Sequence, residues 1–299
     1  MDKVLSILEI KGPLTGKDFV LETGMSILSS WMLCSGSEKI ITRIIGKRYL
    51  RLDQKVEGYA RLSPSIMREF LNYTIIGLEA DKPAIDARAC QLEKELAEIS
   101  KKKIGLARDT IARLVENHQD RDVIKDKVCF IIAGDVVFGM AHTEPRPESS
   151  TGELVKGSDL DIITIADGLS DQLLKSLDTF LYKEKYNLLM NPVSKEEIDY
   201  IIKDLETVRE QLQFKNFKAM VASKILEEGE YLYGSHNLFA QIKKMIAQVC
   251  IPERIRLLEE KAHLNRVSAE RSLLSAADTE DHDQLMALFY TTEEKEEIF

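Results

Sequence analysis

Apolar residues recur along this chain in two rhythms. From Ala84 to about His118, Ile85, Ala89, Leu92, Leu96 and Ile99 keep a near-heptad stripe, which predicts one long helix interrupted around Lys101-Lys102-Lys103 and Gly105. Shorter apolar runs predict strands over 128–133 and 159–165. Between 167 and 183, Leu169, Leu173, Leu174, Leu177, Phe180 and Leu181 return to helical spacing. Tyr186–Met190 reads as a further strand ended by Asn191-Pro192, and 196–202 fits helix or strand. Residues 205–249 read as helical, with Phe214, Phe217, Met220, Val221, Ile225 and Leu226 as the core stripe and a helix end and turn over 227–235. From Pro252 the tail is helical and acidic, broken at Thr279–Asp283, where His282 reads as surface.

The N-terminal stretch is punctuated differently. Residues 2–10 have helical spacing, Gly12-Pro13 breaks it, and Thr15 caps a short helix to Glu22. Thr23-Gly24 turns the chain into a second helix from Ser26 through about Leu33. Lys39–Leu52 then reads as two β segments around Gly46-Lys47, with Arg43, Lys47, Arg48 and Arg51 for the solvent side. A further helix is expected from Ser63, with Pro64 at its first position. A helix pair followed by a basic hairpin resembles a winged helix-turn-helix. That resemblance implies a nucleic-acid partner, whose phosphates Arg43, Lys47, Arg48 and Arg51 would neutralise, or else a protein-contact module.

Composition adds a charge asymmetry. The chain of 299 residues carries a net charge of −9, yet residues 1–68 are net +4 and residues 69–299 net −13. A basic module attached to an acidic body is expected. Cys34, Cys90, Cys129 and Cys250 are scattered, with no metal-ligand spacing, and fit free thiols in a reducing compartment. No run has the layout of a signal peptide or the length of a membrane span, so a cytoplasmic protein with no membrane partner is expected.

The chemistry concentrates at Lys156-Gly157-Ser158-Asp159-Leu160-Asp161 and the apolar residues after it. In a strand, Asp159 and Asp161 share one face about 7 Å apart. They serve either as a platform for a hard divalent cation or as a strand end facing water. Upstream, Val128–Ala133 runs into Gly134-Asp135-Val136-Val137-Phe138-Gly139, a strand, a glycine turn and a helix start. Over about 123–235 these stretches resemble the DNA polymerase beta-like nucleotidyltransferase superfamily.

The resemblance implies catalytic, metal-holding roles for Asp159, Asp161 and a third carboxylate on a following strand, Asp199, with Glu197 in reserve. It implies nucleotide binding by Gly134, Asp135, Gly139 and Ser158; on the later helix Lys218 and Lys224 are candidates to reach the nucleotide phosphates. Mg2+ (or Mn2+) would be the cofactor and an NTP, ATP first, the substrate. Asp135 stands where the family has a serine, and the loop 141–156 is longer than the family's minimum.

The expected fold is therefore α+β and largely helical. A winged-helix-like domain would cover 1–80, a helical arm 81–122, a nucleotidyltransferase-like core 123–204 and a helical region 205–299. The arm, over 84–118, offers a homodimer contact. The leading function is transfer of a nucleoside monophosphate from NTP to a hydroxyl on protein, nucleic acid or small molecule. The alternative is a DNA-binding regulator whose nucleotide-sensing domain does not turn over.

Overall fold

Short hydroxyl side chains set the first helix starts. Thr15 accepts a hydrogen bond from the Asp18 amide and Ser26 one from the Ser29 amide, satisfying donors that a helix start leaves orphaned. In the computed structural model, which describes residues 1–148, 152–275 and 282–291, these caps open α2 (Gly16–Thr23) and α3 (Ile27–Gly36) behind α1 (Asp2–Lys11) and β1 (Leu14–Thr15). There follow β2 (Ile40–Ile44), β3 (Tyr49–Leu52), β4 (Ala60–Ser63), α4 (Ile66–Tyr73), β5 (Thr74–Leu78) and the long α5 (Lys82–Glu116). The α4 cap is Ser65 rather than Ser63, which ends β4.

The expected hairpin over Lys39–Leu52 does not form. Strand β2 pairs with β5 in an antiparallel sheet of order β1-β5-β2, while β3 pairs with β4. A distant partner decides: the Ile45 amide donates to Tyr73 O at 2.9 Å, carrying the chain toward β5. Leu50 and Leu62, opposite one another, are both buried and fix the second ribbon.

The next elements are α6 (Arg121–Lys127), β6 (Val128–Ala133), β7 (Pro145–Pro147), β8 (Leu154–Lys156), β9 (Leu160–Ala166), α7 (Asp171–Met190), β10 (Ile198–Asp204), α8 (Leu205–Gln211), α9 (Phe217–Glu228), β11 (Glu230–Gly234), α10 (His236–Gln248), α11 (Ile251–Ser275) and α12 (His282–Phe289). Two expectations fail here. Residues 186–190 are the last turns of α7, because Leu188 continues the buried stripe of Leu177 and Leu181. The turn expected over 227–235 instead holds a strand: after α9 ends, β11 runs from Glu230 to Gly234 with Leu232 buried. The ambiguous 196–202 becomes strand from Ile198 onward, with Glu196 and Glu197 just before it. The break at 279–281 and the His282 side chain lie outside the described residues.

The chain divides into two compact units, Met1–Glu95 with Leu258–Phe299, and Leu96–Leu257. The tail expected as one region over 205–299 is thus shared between them. In the first unit Phe19, Trp31, Ile66, Met67, Phe70 and Ile76 pack with Leu273 and Phe289. Ile85, Ala89, Leu92 and Leu96 of the α5 stripe are buried within the single chain, so that stripe is not an open coiled-coil seam.

The second unit is a four-stranded mixed sheet of order β10-β9-β6-β11. Strands β9 and β10 are parallel, joined by the α7 crossover, and β6 runs antiparallel to β9. All six residues of β6 are buried, as a strand covered on both faces requires. Phe130, Ile132, Leu160, Ile162 and Ile198 pack on one face with Ala107, Ile111 and Leu114 of α5 and Leu177 and Leu181 of α7. Helices α8, α9 and α10 contact the same sheet, and a Cβ on Gly229 would stand 2.5 Å from Ile131 Cγ2. Among the described residues no helix is long and apolar enough to cross a membrane.

Candidate functional site

Gly157 and Ser158 lead into β9, so Asp159 stands at the strand mouth and Asp161 two residues further along the same face. The parallel register sets Asp199 of β10 opposite Asp161. On the other side Ala133 of β6 pairs with Asp161, which brings Gly134 against the carboxylate. A Cβ on Gly134 would stand 2.3 Å from Asp161 Oδ2.

Beyond Gly134 the expected helix start is a single 3-10 turn, Asp135–Phe138, closed by Gly139 at φ 70°. Ser158 Oγ donates to Asp135 Oδ2 at 3.3 Å and accepts from the His142 amide at 3.2 Å. Asp135 therefore turns toward the acid pair and adds its charge to it.

The electrostatics are those of crowded, desolvated carboxylates. Burial pushes Asp161 well above the usual carboxylate range, and Asp159, Asp199, Asp135 and Glu228 push the same way. Burial also raises Asp159, opposed by the Arg146 guanidinium and reinforced by Asp199 and Asp135. Glu197 and Glu228 are raised by burial too, the first opposed by Arg146 and the second by Lys224.

Three cations meet these six acids. The Arg146 guanidinium lies 2.8 Å from Glu197 and 3.6 Å from Asp159, Lys185 lies 2.7 Å from Asp199, and Lys224 lies 2.6 Å from Glu228. The local balance stays negative. An all-oxygen donor set with surplus negative charge fits a hard divalent cation such as Mg2+ or Mn2+. Among the described residues no three acid, imidazole or thiol groups already converge as a ligand cage.

Of the residues marked in the sequence, Asp159, Asp161, Asp199, Gly134, Asp135 and Ser158 come together, and Gly139 closes the turn beside them. Glu197, the reserve third carboxylate, is buried against Arg146, whereas Asp199 is exposed. Lys218 is exposed on α9, on a different face from Lys224. It is Lys224, with its ammonium 6.0 Å from the Phe138 ring, that meets the glycine turn.

Sequence reasoning missed Arg146, Lys185, Glu228 and Lys103. The last sat in the lysine run expected to interrupt the α5 stripe. Its place four residues after Ile99 and four before the buried Ala107, on the apolar stripe of α5, is the signal that marks it.

The four basic residues marked in the first unit have different surroundings. Arg48 is spent on the buried Glu69, at 2.6 and 2.7 Å, and faces Glu270 at 3.7 Å. Arg43 is exposed beside Asp86 at 4.0 Å, Lys47 is exposed and Arg51 half-buried. Helix α3, the second of the helix pair, contains no lysine or arginine. Neither protein-family profiles nor curated proteins give a match to this chain.

Proposed function

We propose that the unit Leu96–Leu257 is a metal-dependent nucleotidyltransferase, similar in plan to the DNA polymerase beta-like superfamily, moving a nucleoside monophosphate from NTP to a hydroxyl acceptor. The observation that supports it is the in-register pair Asp161 and Asp199 on neighbouring parallel strands, with Asp159 beside them and Gly134 bare to admit the Asp161 carboxylate. Asp159, Asp161 and Asp199 would hold the divalent ions, and Asp135 adds a fourth carboxylate where the family has a serine. When bound, Mg2+ neutralises triphosphate oxygens and lowers the pKa of an attacking hydroxyl.

The chain's own residues do the rest. Asp199, exposed at the sheet edge, accepts the proton of the acceptor hydroxyl. The acceptor oxygen bonds to the α-phosphorus, the bond to the bridging oxygen breaks, and pyrophosphate leaves with that electron pair. Ser158 and Gly139 line the phosphate side. Lys224 supplies positive charge beside the glycine turn. Mg2+-dependent pyrophosphate release from ATP, compared with the other NTPs, tests this. Asp161→Asn is expected to lower the rate by about 10²-fold or more.

A second reading, a nucleotide-sensing regulator without turnover, is favoured by Arg146 and Lys185, which already neutralise Asp159 and Asp199. Its mark is ATP binding by wild type with no pyrophosphate. Under that reading the first unit, on a winged-helix-like plan, would contact duplex through Arg43, Lys47 and Arg51, without Arg48.

A further inference from the structure

We propose that Lys103 is a positioning residue for the acid pair, acting through the peptide groups of the 156–158 turn; the proposal rests on the divalent-ion reading of the cluster. A buried ammonium is costly unless every donor is used. Lys103 is 3% exposed, on a helix stripe where an aliphatic side chain would pack without that cost. Its Nζ donates to Lys156 O at 2.8 Å, to Ser158 O at 2.7 Å and to the Glu196 carboxylate, so all three hydrogens are committed.

The carbonyl between those two is held from elsewhere, since Arg146 Nε donates to Gly157 O at 2.8 Å. Three consecutive carbonyls thus point at two cations. The amides are bound as well: Lys156 N to Lys195 O, Gly157 N to Val155 O and Ser158 N to His142 O. Gly157 sits at φ +62°, and a Cβ there would meet His142 O at 1.9 Å. The turn has one arrangement, and Ser158 and Asp159 take their places from it.

This matters because Asp159 is repelled by Asp161, Asp199 and Asp135. Without a clamp on the preceding peptides, a residue at a strand mouth would turn outward into water. Lys103 touches none of the reacting groups, and its effect reaches the ion only through Asp159 and Ser158.

The test compares Mn2+ affinity, by calorimetric titration, with amide hydrogen exchange in the full chain. The variants are Lys103→Met and the double change Lys103→Met/Glu196→Gln, which leaves no orphaned carboxylate if the single variant folds poorly. Asp161→Asn serves as the control without a site. Wild type is expected to bind Mn2+ and the control not to. The Lys103 variants are expected to lose at least tenfold in affinity and to exchange faster over 157–160, with β6 protected as in wild type. A merely structural role would lower protection in β6 together with the turn, and that outcome overturns the proposal. So does Mn2+ affinity within twofold of wild type with the turn still protected. If wild type binds no Mn2+, the acid-cluster reading falls and this role falls with it; failure of the positioning role alone leaves wild-type binding intact.

Discussion

A methyl group on Gly134 would stand 2.3 Å from a carboxylate oxygen of Asp161, at a backbone φ of +80° that L residues rarely adopt. Glycine here gives both the turn and the room for the acid. What it admits is a group the fold alone does not favour, since burial and four neighbouring carboxylates push Asp161 well above its usual range. The linkage follows in sign. With the folded pKa above the unfolded one, the folded state holds the proton more tightly. The stability this one carboxyl contributes is fully present at low pH and is lost as pH rises through the raised value. Metal-free Asp161→Asn is therefore expected to melt above wild type at neutral pH, by about 2–4 °C for each kcal/mol of relief. The gap should narrow on acidification, which thermal scans in chelator across pH will measure. A lower melting temperature for the variant at neutral pH would mean that the carboxylate is compensated by protein groups.

At the scale of elements, the strands of the acid platform were legible because both rules that govern them are local. The apolar run Val128–Ala133 and the alternation at Asp159-Leu160-Asp161 need only their own residues to declare strand and face. The pairing of β2 and β3 was not legible. Each has a basic, half-polar pattern consistent with a hairpin, and the partner that decides, β5, lies about thirty residues downstream. Tyr186–Met190 misled for the opposite reason: its apolar cluster looks like strand, but its buried leucines complete a stripe begun at Leu177, about three turns earlier in α7.

The same long-range pairing converts Arg48 from an expected phosphate contact into a structural ion. Glu69 on α4 accepts from it and also faces Arg266 at 3.4 Å. Glu69→Ala leaves the Arg48 and Arg266 guanidinium groups sharing Glu270 at 3.7 and 3.8 Å and is expected to cost about 3–5 kcal/mol. Arg43→Ala, at an exposed pair, should stay within about 0.5 kcal/mol. Urea unfolding followed by Trp31, the single tryptophan and part of the first unit's core, separates the two. Equal effects would contradict the burial of that network.

Over the whole molecule the sequence suggested a basic front end on an acidic body, and the coordinates redraw that division. Residues 258–291 belong with the N-terminal 95, so the unit boundary crosses two helices and leaves no mark in composition. The acid excess that bears on function is confined to one end of one sheet. There six carboxylates from β9, β10, α9 and the connecting turns meet three cations. Arg146 and Lys185 escaped the sequence because a lone basic residue becomes informative only when the fold shows which carboxylate or carbonyl it holds.

The proposed chemistry requires this cluster to take a divalent cation. Anomalous diffraction at the manganese edge, on crystals grown with Mn2+ and a non-hydrolysable ATP analogue, tests it most directly. The expected result is a peak bounded by Asp159, Asp161 and Asp199, with Arg146 or Lys185 moved off its present partner. No peak there, with both cations still seated on Asp159 and Asp199, would contradict it.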